Sequence, residues 1–271
     1  MNKKLTKTIL ALLAVLALAL TMFACAKDGG NDDTATTDAA ATDAATDAAD
    51  ETAEDSSDDE GETVVDYLVL VNKQNKLPDN WEGIIQLEDA TNTIPEGVEL
   101  NEDNDYLQTE SFKVEKTALA AFRELQAALE EEGITILLDS TYRSVARQQE
   151  IWDEFEAESG LEYAQKYVAV PGTSEHHTGL AIDICIIKDG VIINANDDMI
   201  AEREIFAKIH EKLADYGFIL RFPEGKDDIT GYAYEPWHFR YVGVETAKAI
   251  AEQGVTLEEY LGKVPAEEVT E

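Results

Sequence analysis

Three of the chain's four histidines lie in two short stretches of sequence. The first reads S-E-H-H-T-G-L-A-I-D from Ser174 to Asp183, and the second reads E-P-W-H from Glu235 to His238. A catalytic zinc ion takes three protein ligands, from histidine and carboxylate side chains among others, and leaves a fourth position for water. These residue types therefore predict a metal-dependent hydrolytic site that is assembled from two distant parts of the chain.

The first stretch supplies two of the candidate ligands. Asp183 lies in a predicted strand in which Leu180 and Ile182 mark the opposite, apolar face. A buried carboxylate is costly without a partner, and a metal ion is one of the few adequate partners. His176 precedes this strand in a glycine-containing loop, from which its imidazole can reach the same ion.

The second stretch supplies the third ligand and a base. The aromatic residues of W-H-F-R-Y share one face of a predicted strand, which leaves His238 on the other face. Glu235 precedes His238 across Pro236, where a bend can bring both side chains to one site. A carboxylate that lies near the metal without binding it is what general-base hydrolysis needs.

The combined pattern S-x-H-x-x-G-x-A-x-D followed by E-x-W-H resembles the VanY-type zinc D-alanyl-D-alanine carboxypeptidases, which are relatives of the lysostaphin and hedgehog zinc folds. Tyr142-Arg143-Ser144, Gln148 and the approach P-G-T-S-E-H from Pro171 resemble the same family. The likeness covers essentially the whole of the predicted folded domain. It implies hydrolysis of peptidoglycan stem peptides by direct attack of water, with release of a terminal D-alanine.

The resemblance also implies roles for individual residues. His176, Asp183 and His238 match the family's zinc ligands, and Glu235 matches its catalytic base. Arg143 matches the arginine that faces the substrate, where its planar guanidinium can hold a terminal carboxylate or the developing oxyanion. The alternative for Arg143 is a structural ion pair with a nearby acid.

Other polar residues of the motifs have weaker implied roles. Ser144, Gln148 and Ser174 are expected to contact the substrate. His177 adjoins a ligand but lies outside the matching positions, so it either supports the site from behind or is exposed. His210 lies among charged residues of a predicted helix, which predicts a surface residue with no special role.

Two other classes of function remain open from the sequence. One is a non-catalytic module that binds cell-wall peptide or a protein partner, although Glu235 beside an intact ligand set favours catalysis. The other is a peptidase of different specificity: an L,D-carboxypeptidase acting on tetrapeptide stems, a dipeptidase or an endopeptidase. The motifs do not encode the pocket shape on which this choice depends.

The N-terminus carries a predicted export signal. Lys3, Lys4 and Lys7 precede an apolar run over residues 9–20, and Cys25 follows Ala24. This arrangement resembles the lipobox of bacterial lipoproteins, in which the cysteine is acylated and becomes the mature N-terminus. An ordinary signal peptide with an incidental cysteine is the alternative. We therefore predict a lipid-anchored protein on the extracytoplasmic face of the membrane, with residues 1–25 as its leader.

Charge and composition divide the rest of the chain. Residues 26–63 are rich in aspartate, alanine and threonine, which predicts a disordered acidic tether. With 57 acidic against 21 basic residues the net charge is −36, which argues against nucleic acid or anionic lipid as a partner. The folded domain is then expected at residues 64–263, as a monomer, with a flexible acidic tail at 264–271.

Within that domain, apolar spacing predicts an α+β fold in which a small, mostly antiparallel sheet is flanked by helices. Helices are expected over residues 114–133, 144–160 and 202–218. Strands are expected at residues 67–73, from 134 to about 139, and at 180–187 and 237–242. Cys185, the only cysteine besides Cys25, is expected to be a buried apolar residue.

Overall fold

The computed structural model describes residues 65–162, 164 and 168–265. The predicted leader at 1–25, the tether at 26–63 and most of the tail at 264–271 lie outside the described residues, so these boundaries stay predictions. Within the described part of the chain, no helix combines the length and apolar character needed to cross a membrane.

The strands of the described residues form two antiparallel sheets. In chain order the strands are β1 (Leu87–Ala90), β2 (Phe112–Glu115), β3 (Thr135–Ser140), β4 (Ala181–Lys188), β5 (Val191–Ile193), β6 (Phe218–Leu220) and β7 (His238–Tyr241). A two-stranded sheet pairs β1 with β2, and a five-stranded sheet has the order β3-β4-β7-β6, with β5 paired to β4.

Helices surround the larger sheet. The α-helices whose bounds the described residues give are α1 (Tyr106–Thr109), α2 (Lys116–Glu131), α3 (Val145–Ser159), α4 (Asn196–Ala201), α5 (Arg203–Leu213), α6 (Asp227–Thr230), α7 (Val244–Gln253) and α8 (Leu257–Tyr260). Helix α2 contacts β3 and helix α5 contacts β6, at opposite ends of the strand order, and the two helices also contact each other, so together they cover one face. The α+β prediction is confirmed, and the three predicted helices are present with shorter bounds.

Helix α2 shows how the sequence produces the core. Leu119, Phe122, Leu125 and Leu129 recur every three or four residues and are all buried. At its start, the Glu115 side chain accepts hydrogen bonds from two backbone N–H groups of the first turn. Burial of one such leucine or phenylalanine contributes about 1.5–3 kcal/mol, so α2 is an anchor for the sheet that carries the site.

Strand β3 contains a bulge where it approaches the site. Its pairing with β4 runs regularly to Leu138 and then shifts, so that Ser140 faces Asp183 and Asp139 is the extra residue. A bulge bends the strand and re-aims the side chains that follow. The prediction that the chain leaves the core at Asp139 agrees with this geometry, and the segment up to Arg143 turns toward Asp183 as a result.

Gly179 ends the short 3₁₀ helix Glu175–Thr178, which carries His176 and His177. Its φ of +69° is a left-handed conformation that favours glycine. A Cβ at this position would also lie 2.6 Å from Cδ1 of Ile85 and 2.7 Å from Cδ2 of Leu87. The glycine is therefore required both for the turn and for the close packing that fixes His176 before β4 begins.

The predicted strand at residues 67–73 is wrong. The segment forms only one isolated bridge, between Asn72 and Asn75, although Val69 and Val71 are buried in the core. The carbonyl oxygens of Tyr67 and Val69 accept hydrogen bonds from Nη2 of Arg240, at 2.9 and 2.8 Å. A buried guanidinium therefore binds these backbone carbonyls, where a β-ladder was expected.

Candidate metal centre

The structure brings His176, Asp183 and His238 together in one cluster, with one ligand atom from each lying within 4.8 Å of the others. His176 Nε2 lies 3.1 Å from Asp183 Oδ2, and His238 Nδ1 lies 2.7 Å from Asp183 Oδ1. Asp183 and His238 are direct cross-strand partners in β4 and β7. The sheet register thus fixes two of the three side chains, and the 3₁₀ helix before β4 supplies the third.

The donor set fits a zinc ion. Asp183 Oδ1 is buried and has no hydrogen-bond partner among the described residues, although His238 Nδ1 is close, because the approach does not have hydrogen-bond geometry. A buried carboxylate oxygen without a hydrogen bond is costly, and a shared cation would satisfy it. Two imidazole nitrogens and one carboxylate are also a ligand set of zinc hydrolases.

In each imidazole ring, the nitrogen that faces away from Asp183 has a hydrogen-bond partner. His176 Nδ1 lies 2.8 Å from the carbonyl oxygen of Thr141, and His238 Nε2 lies 3.3 Å from Oε2 of Glu175. Both partners are acceptors, so each of these outer nitrogens carries the hydrogen. The inner nitrogens, Nε2 of His176 and Nδ1 of His238, are then the positions from which the two rings can bind a metal ion.

Charge within the cluster favours cation binding. Burial disfavours the ionised form of Asp183, but His176 and His238 outweigh burial and hold the pKa of Asp183 well below its usual range. Burial alone would lower the pKa of His238, yet Asp183 and Glu175 raise this pKa to about 10. The cluster is therefore anionic enough to hold a proton on His238, and a metal ion must displace that proton when it binds.

Glu235 lies beside the cluster without belonging to it. Its Oε2 is 3.8 Å from His238 Nδ1, and its side chain keeps 29% of its surface exposed. Burial, together with Asp183 and Glu175, raises the pKa of Glu235 to about 7 against the opposing effect of His238. A carboxyl group with a pKa near neutrality, next to the metal position, is suited to accept and return a proton.

Arg143 faces the same cavity, which has a volume of about 350 Å³ and is lined by all three ligand-type residues. Its Nη1 donates to Oε1 of Gln148 at 2.8 Å, and its Nη2 donates to Oγ of Ser140 at 3.1 Å. No carboxylate within the described ranges forms an ion pair with this guanidinium. The arrangement therefore favours substrate binding over the structural ion pair considered from the sequence.

Comparison with known proteins agrees with this geometry. The sequence model of the VanY family, described as D-alanyl-D-alanine carboxypeptidase, matches residues 111–244. YodJ of Bacillus subtilis (strain 168) is 38% identical over 197 residues, which cover 73% of this chain and 67% of YodJ. The chain belongs to the VanY family of D-alanyl-D-alanine carboxypeptidases.

Two solved structures extend the comparison. A vancomycin-resistance D,D-pentapeptidase, a VanY variant in complex with Zn(II), is 35% identical with a TM-score of 0.56, and the match covers 72% of this chain and 98% of that one. The LD-carboxypeptidase LdcB is 36% identical with a TM-score of 0.58, and the match covers 73% of this chain and 87% of the LdcB chain. This VanY-family chain is accordingly a zinc metallo-carboxypeptidase, and both D,D and L,D enzymes are among its structural relatives.

The predicted substrate contacts occupy different places in this VanY-family site. Gln148 and Ser174 line the cavity, and Gln148 also donates to the carbonyl oxygen of Ala169 at 2.8 Å. Ser144 is not among the lining residues, and its hydroxyl accepts a hydrogen bond from the N–H of Arg147 as the N-cap of α3. Gln148 therefore holds Arg143, and Ser144 begins the helix that carries Gln148.

His177 is buried, so the exposed alternative is wrong. Its Nδ1 lies 2.6 Å from the carbonyl oxygen of Arg143, and its Nε2 accepts a hydrogen bond from the N–H of Gly172 at 3.1 Å. One ring thus connects the turn that contains Arg143 to the loop that leads into the 3₁₀ helix. His177 supports the site from behind, as the other alternative proposed.

The prediction that His210 is a surface residue without a role is also wrong. Its ring is partly buried, contacts Phe206 and Phe239, and places Nε2 2.9 Å from the carbonyl oxygen of Pro236. Pro236 lies between Glu235 and Trp237, in the segment that carries the candidate base and the third candidate ligand. Charged neighbours in sequence concealed this contact, because it lies on the opposite side of α5.

Sequence reasoning assigned no role to Asp139, a titratable residue of the cavity wall. Asp139, the bulged residue of β3, lines the cavity and accepts a hydrogen bond from the hydroxyl of Tyr106. Burial and the charge of Asp183 raise the pKa of Asp139 to about 6, against the opposing effect of that hydrogen bond. In the sequence, the only sign of this residue is an aspartate at the end of an apolar run, which fits the point where a strand leaves the core equally well.

Replacing Arg143 by lysine should lower kcat/KM for a stem peptide about 100-fold or more, since one planar donor group is lost from a site of developing charge. An ammonium group keeps the charge but not the geometry that serves Gln148, Ser140 and the substrate together. Steady-state D-alanine release and zinc content should be measured on the same preparation, and zinc should be unchanged. Arg147→Lys, on the exposed side of α3, is the matched control; equal kinetics in both variants would refute the role.

Proposed function

We propose that this carboxypeptidase removes the terminal D-alanine from peptidoglycan stem peptides that end in D-alanyl-D-alanine. One observation carries the proposal: a carboxylate with a pKa near 7, Glu235, lies beside an intact zinc-ligand set and lines a cavity that Arg143 also faces. A module that only binds peptide has no need of a base in this position.

In this mechanism, zinc supplies Lewis-acid activation of a water molecule and of the scissile carbonyl when it is bound. Glu235 accepts the proton of the attacking water and then delivers it to the departing amine of D-alanine. Arg143 donates to the oxyanion that forms as water adds, or to the terminal carboxylate of the peptide. His177 and Gln148 hold Arg143 in place, and no covalent acyl-enzyme is required.

A second candidate is L,D-carboxypeptidase activity on tetrapeptide stems. The likeness to the LD-carboxypeptidase LdcB, with a TM-score of 0.58 against 0.56 for the VanY D,D-pentapeptidase, favours considering it. Purified protein should be incubated with tripeptide, tetrapeptide and pentapeptide stem muropeptides, and the products identified by mass. Loss of one D-alanine from pentapeptide supports the proposal, loss from tetrapeptide alone supports the L,D alternative, and release of a dipeptide or internal cleavage supports a dipeptidase or endopeptidase.

We also propose that the chain is a lipoprotein on the extracytoplasmic face of the membrane. The support is in the sequence: three lysines precede an apolar run, and Cys25 follows Ala24. Residues 26–63 would then separate the catalytic domain from the membrane and let it reach stem peptides. A fully extended chain spans up to about 3.3–3.6 Å for each residue. A tether of this length would let the catalytic domain reach cell-wall peptides well beyond the lipid surface.

Cys25→Ser should abolish acylation, because the thiol is the only group in this part of the chain that a lipobox can modify. The variant is expected either as an unprocessed precursor or in the culture medium. Metabolic labelling with a fatty-acid probe measures the change, and Cys185→Ser, at a buried position, is the control that keeps its label. Equal labelling of wild type and Cys25→Ser would show that the protein is not a lipoprotein.

A further inference from the structure

Glu175 has no part in the mechanism above, yet it lies against a candidate zinc ligand. Its side chain is 3% exposed and is one of the few buried carboxylates near the metal centre. Oε2 lies 3.3 Å from His238 Nε2, and Oε1 accepts hydrogen bonds from Nε of Arg221 at 2.8 Å and from Nη1 of Arg240 at 2.7 Å. The two oxygens therefore have separate partners: one faces the ligand ring and the other faces two guanidinium groups.

This contact determines which nitrogen of His238 is available to a metal ion. A carboxylate only accepts hydrogen bonds, so the nitrogen that faces Glu175, Nε2, carries the hydrogen. The other nitrogen, Nδ1, faces Asp183 and the metal position. Histidine ligands of metals are generally oriented in this way by an acceptor on their outer nitrogen, and such acceptors strengthen metal binding.

We propose that Glu175 is a positioning residue of the metal centre, which holds His238 with Nε2 protonated and Nδ1 directed at the zinc ion. The proposal rests on the zinc-dependent function above, and it assigns a role to a residue between Ser174 and His176 that acts through His238.

The two guanidinium groups beside Glu175 hold its carboxylate in one position and keep it ionised. Arg221 also donates to both oxygens of Glu258, at 2.9 and 2.6 Å, and Arg240 also binds the carbonyl oxygens of Tyr67 and Val69. Both arginine side chains are fully buried. A buried ion pair is favourable only when its remaining donors and acceptors are also hydrogen-bonded. The two guanidinium groups both donate to Oε1 of Glu175, which leaves Oε2 for His238.

The chemistry of glutamine makes the proposal testable at this position. The two arginines can only donate, so in Glu175→Gln the amide oxygen must face them and the amide nitrogen must face His238. That nitrogen donates, which requires an unprotonated Nε2 and moves the hydrogen of His238 to Nδ1. The metal-facing lone pair would then be lost, although the size and shape of the side chain are nearly unchanged.

Zinc affinity is the first measurement, made by competition with a chelator on the purified protein and independent of turnover. Glu175→Gln is expected to bind zinc about 10- to 100-fold more weakly than wild type. The matched control is Glu258→Gln, which removes a buried carboxylate from the same Arg221 without touching His238. It is expected to lower thermal stability and to keep zinc affinity.

Proton NMR of the zinc-loaded protein, resolved by nitrogen-15, supplies a readout that a merely structural role would not change. The hydrogen on His238 Nε2 should give a downfield signal in wild type and in Glu258→Gln. In Glu175→Gln this signal should move upfield or disappear. Equal zinc affinity in wild type and Glu175→Gln, or an equal loss in both variants, overturns the proposal.

Glu175→Asp keeps the charge that the two arginines need, so it tests the proposal if the glutamine variant does not fold. Its carboxylate is one methylene shorter and cannot reach both arginines and His238, so weaker zinc binding is expected, and wild-type affinity would overturn the proposal. The same zinc measurement distinguishes failure of this proposal from failure of the proposed function. If wild-type protein itself binds no zinc, the metal centre is wrong, whereas normal zinc binding in the Glu175 variants refutes the positioning role alone.

Discussion

Replacing Glu235 by glutamine is expected to lower D-alanine release by at least about 100-fold, the lower end of what general-base assistance contributes. The substitution keeps the size of the side chain and one hydrogen-bonding oxygen but removes the basic carboxylate. Because Glu235 lies beside the ligand set without belonging to it, zinc content and peptide affinity should stay near wild type. Zinc content, peptide binding and D-alanine release should be measured on one preparation.

Glu224→Gln is the matched control for this substitution. Glu224 lies in the same connection between β6 and β7, but its carboxylate is 63% exposed and pairs with Arg203 at the surface. This variant should release D-alanine like wild type. Unchanged release in Glu235→Gln would show that Glu235 is not the base, and a wild-type protein that binds every stem peptide but cleaves none would support the binding module instead.

Removal of a single ligand should abolish both zinc binding and turnover. His176→Ala, Asp183→Ala and His238→Ala each take away one of three donors, and the two that remain hold zinc too weakly for the metal to survive purification. Elemental analysis of the purified domain measures the metal, and D-alanine release should fall by at least about 1,000-fold, since both Lewis-acid activation and general-base chemistry depend on the ion.

The control for these ligand variants cannot be another histidine. His177 holds the backbone at Arg143, and His210 contacts the carbonyl oxygen of Pro236, so neither is neutral toward the site. Asp215→Ala changes an exposed carboxylate that pairs with Lys248, and this variant should keep both zinc and activity. Full zinc occupancy in all three ligand variants would show that the ion binds elsewhere.

Sequence reasoning selected His176, Asp183 and His238 as one candidate ligand set because those residues follow local rules. Alternation along β4 placed Asp183 on the opposite face from Ile182, and alternation along β7 separated His238 from Phe239. Only the antiparallel pairing of β4 with β7 brings Asp183 and His238 together, and periodicity does not contain that pairing. The motif resemblance supplied it, and the structure gives its physical basis.

Features that depend on distant partners could not be predicted in this way. Glu175 was part of the quoted motif, but Arg221, Arg240 and Glu258 come from three later parts of the chain, and nothing local indicates that they meet. The same network explains the wrong strand prediction at residues 67–73. Strand propensity describes how a side chain fits a half-buried surface, and it contains no information about a guanidinium that binds the backbone carbonyls of the segment.

The position of Glu258 in α8 has a practical consequence for where the chain can be shortened. The family match ends at residue 244, and the last strand ends at Tyr241. A protein truncated at either point would keep the three candidate ligands, Glu235 and Arg143, yet it would lack the carboxylate that takes two hydrogen bonds from buried Arg221. Breaking a buried ion pair by removing one partner typically destabilises a fold by about 3–5 kcal/mol. The shortest stable version of this enzyme is therefore expected to include Glu258 and the helix α8 that carries it, well beyond the end of its recognisable motifs.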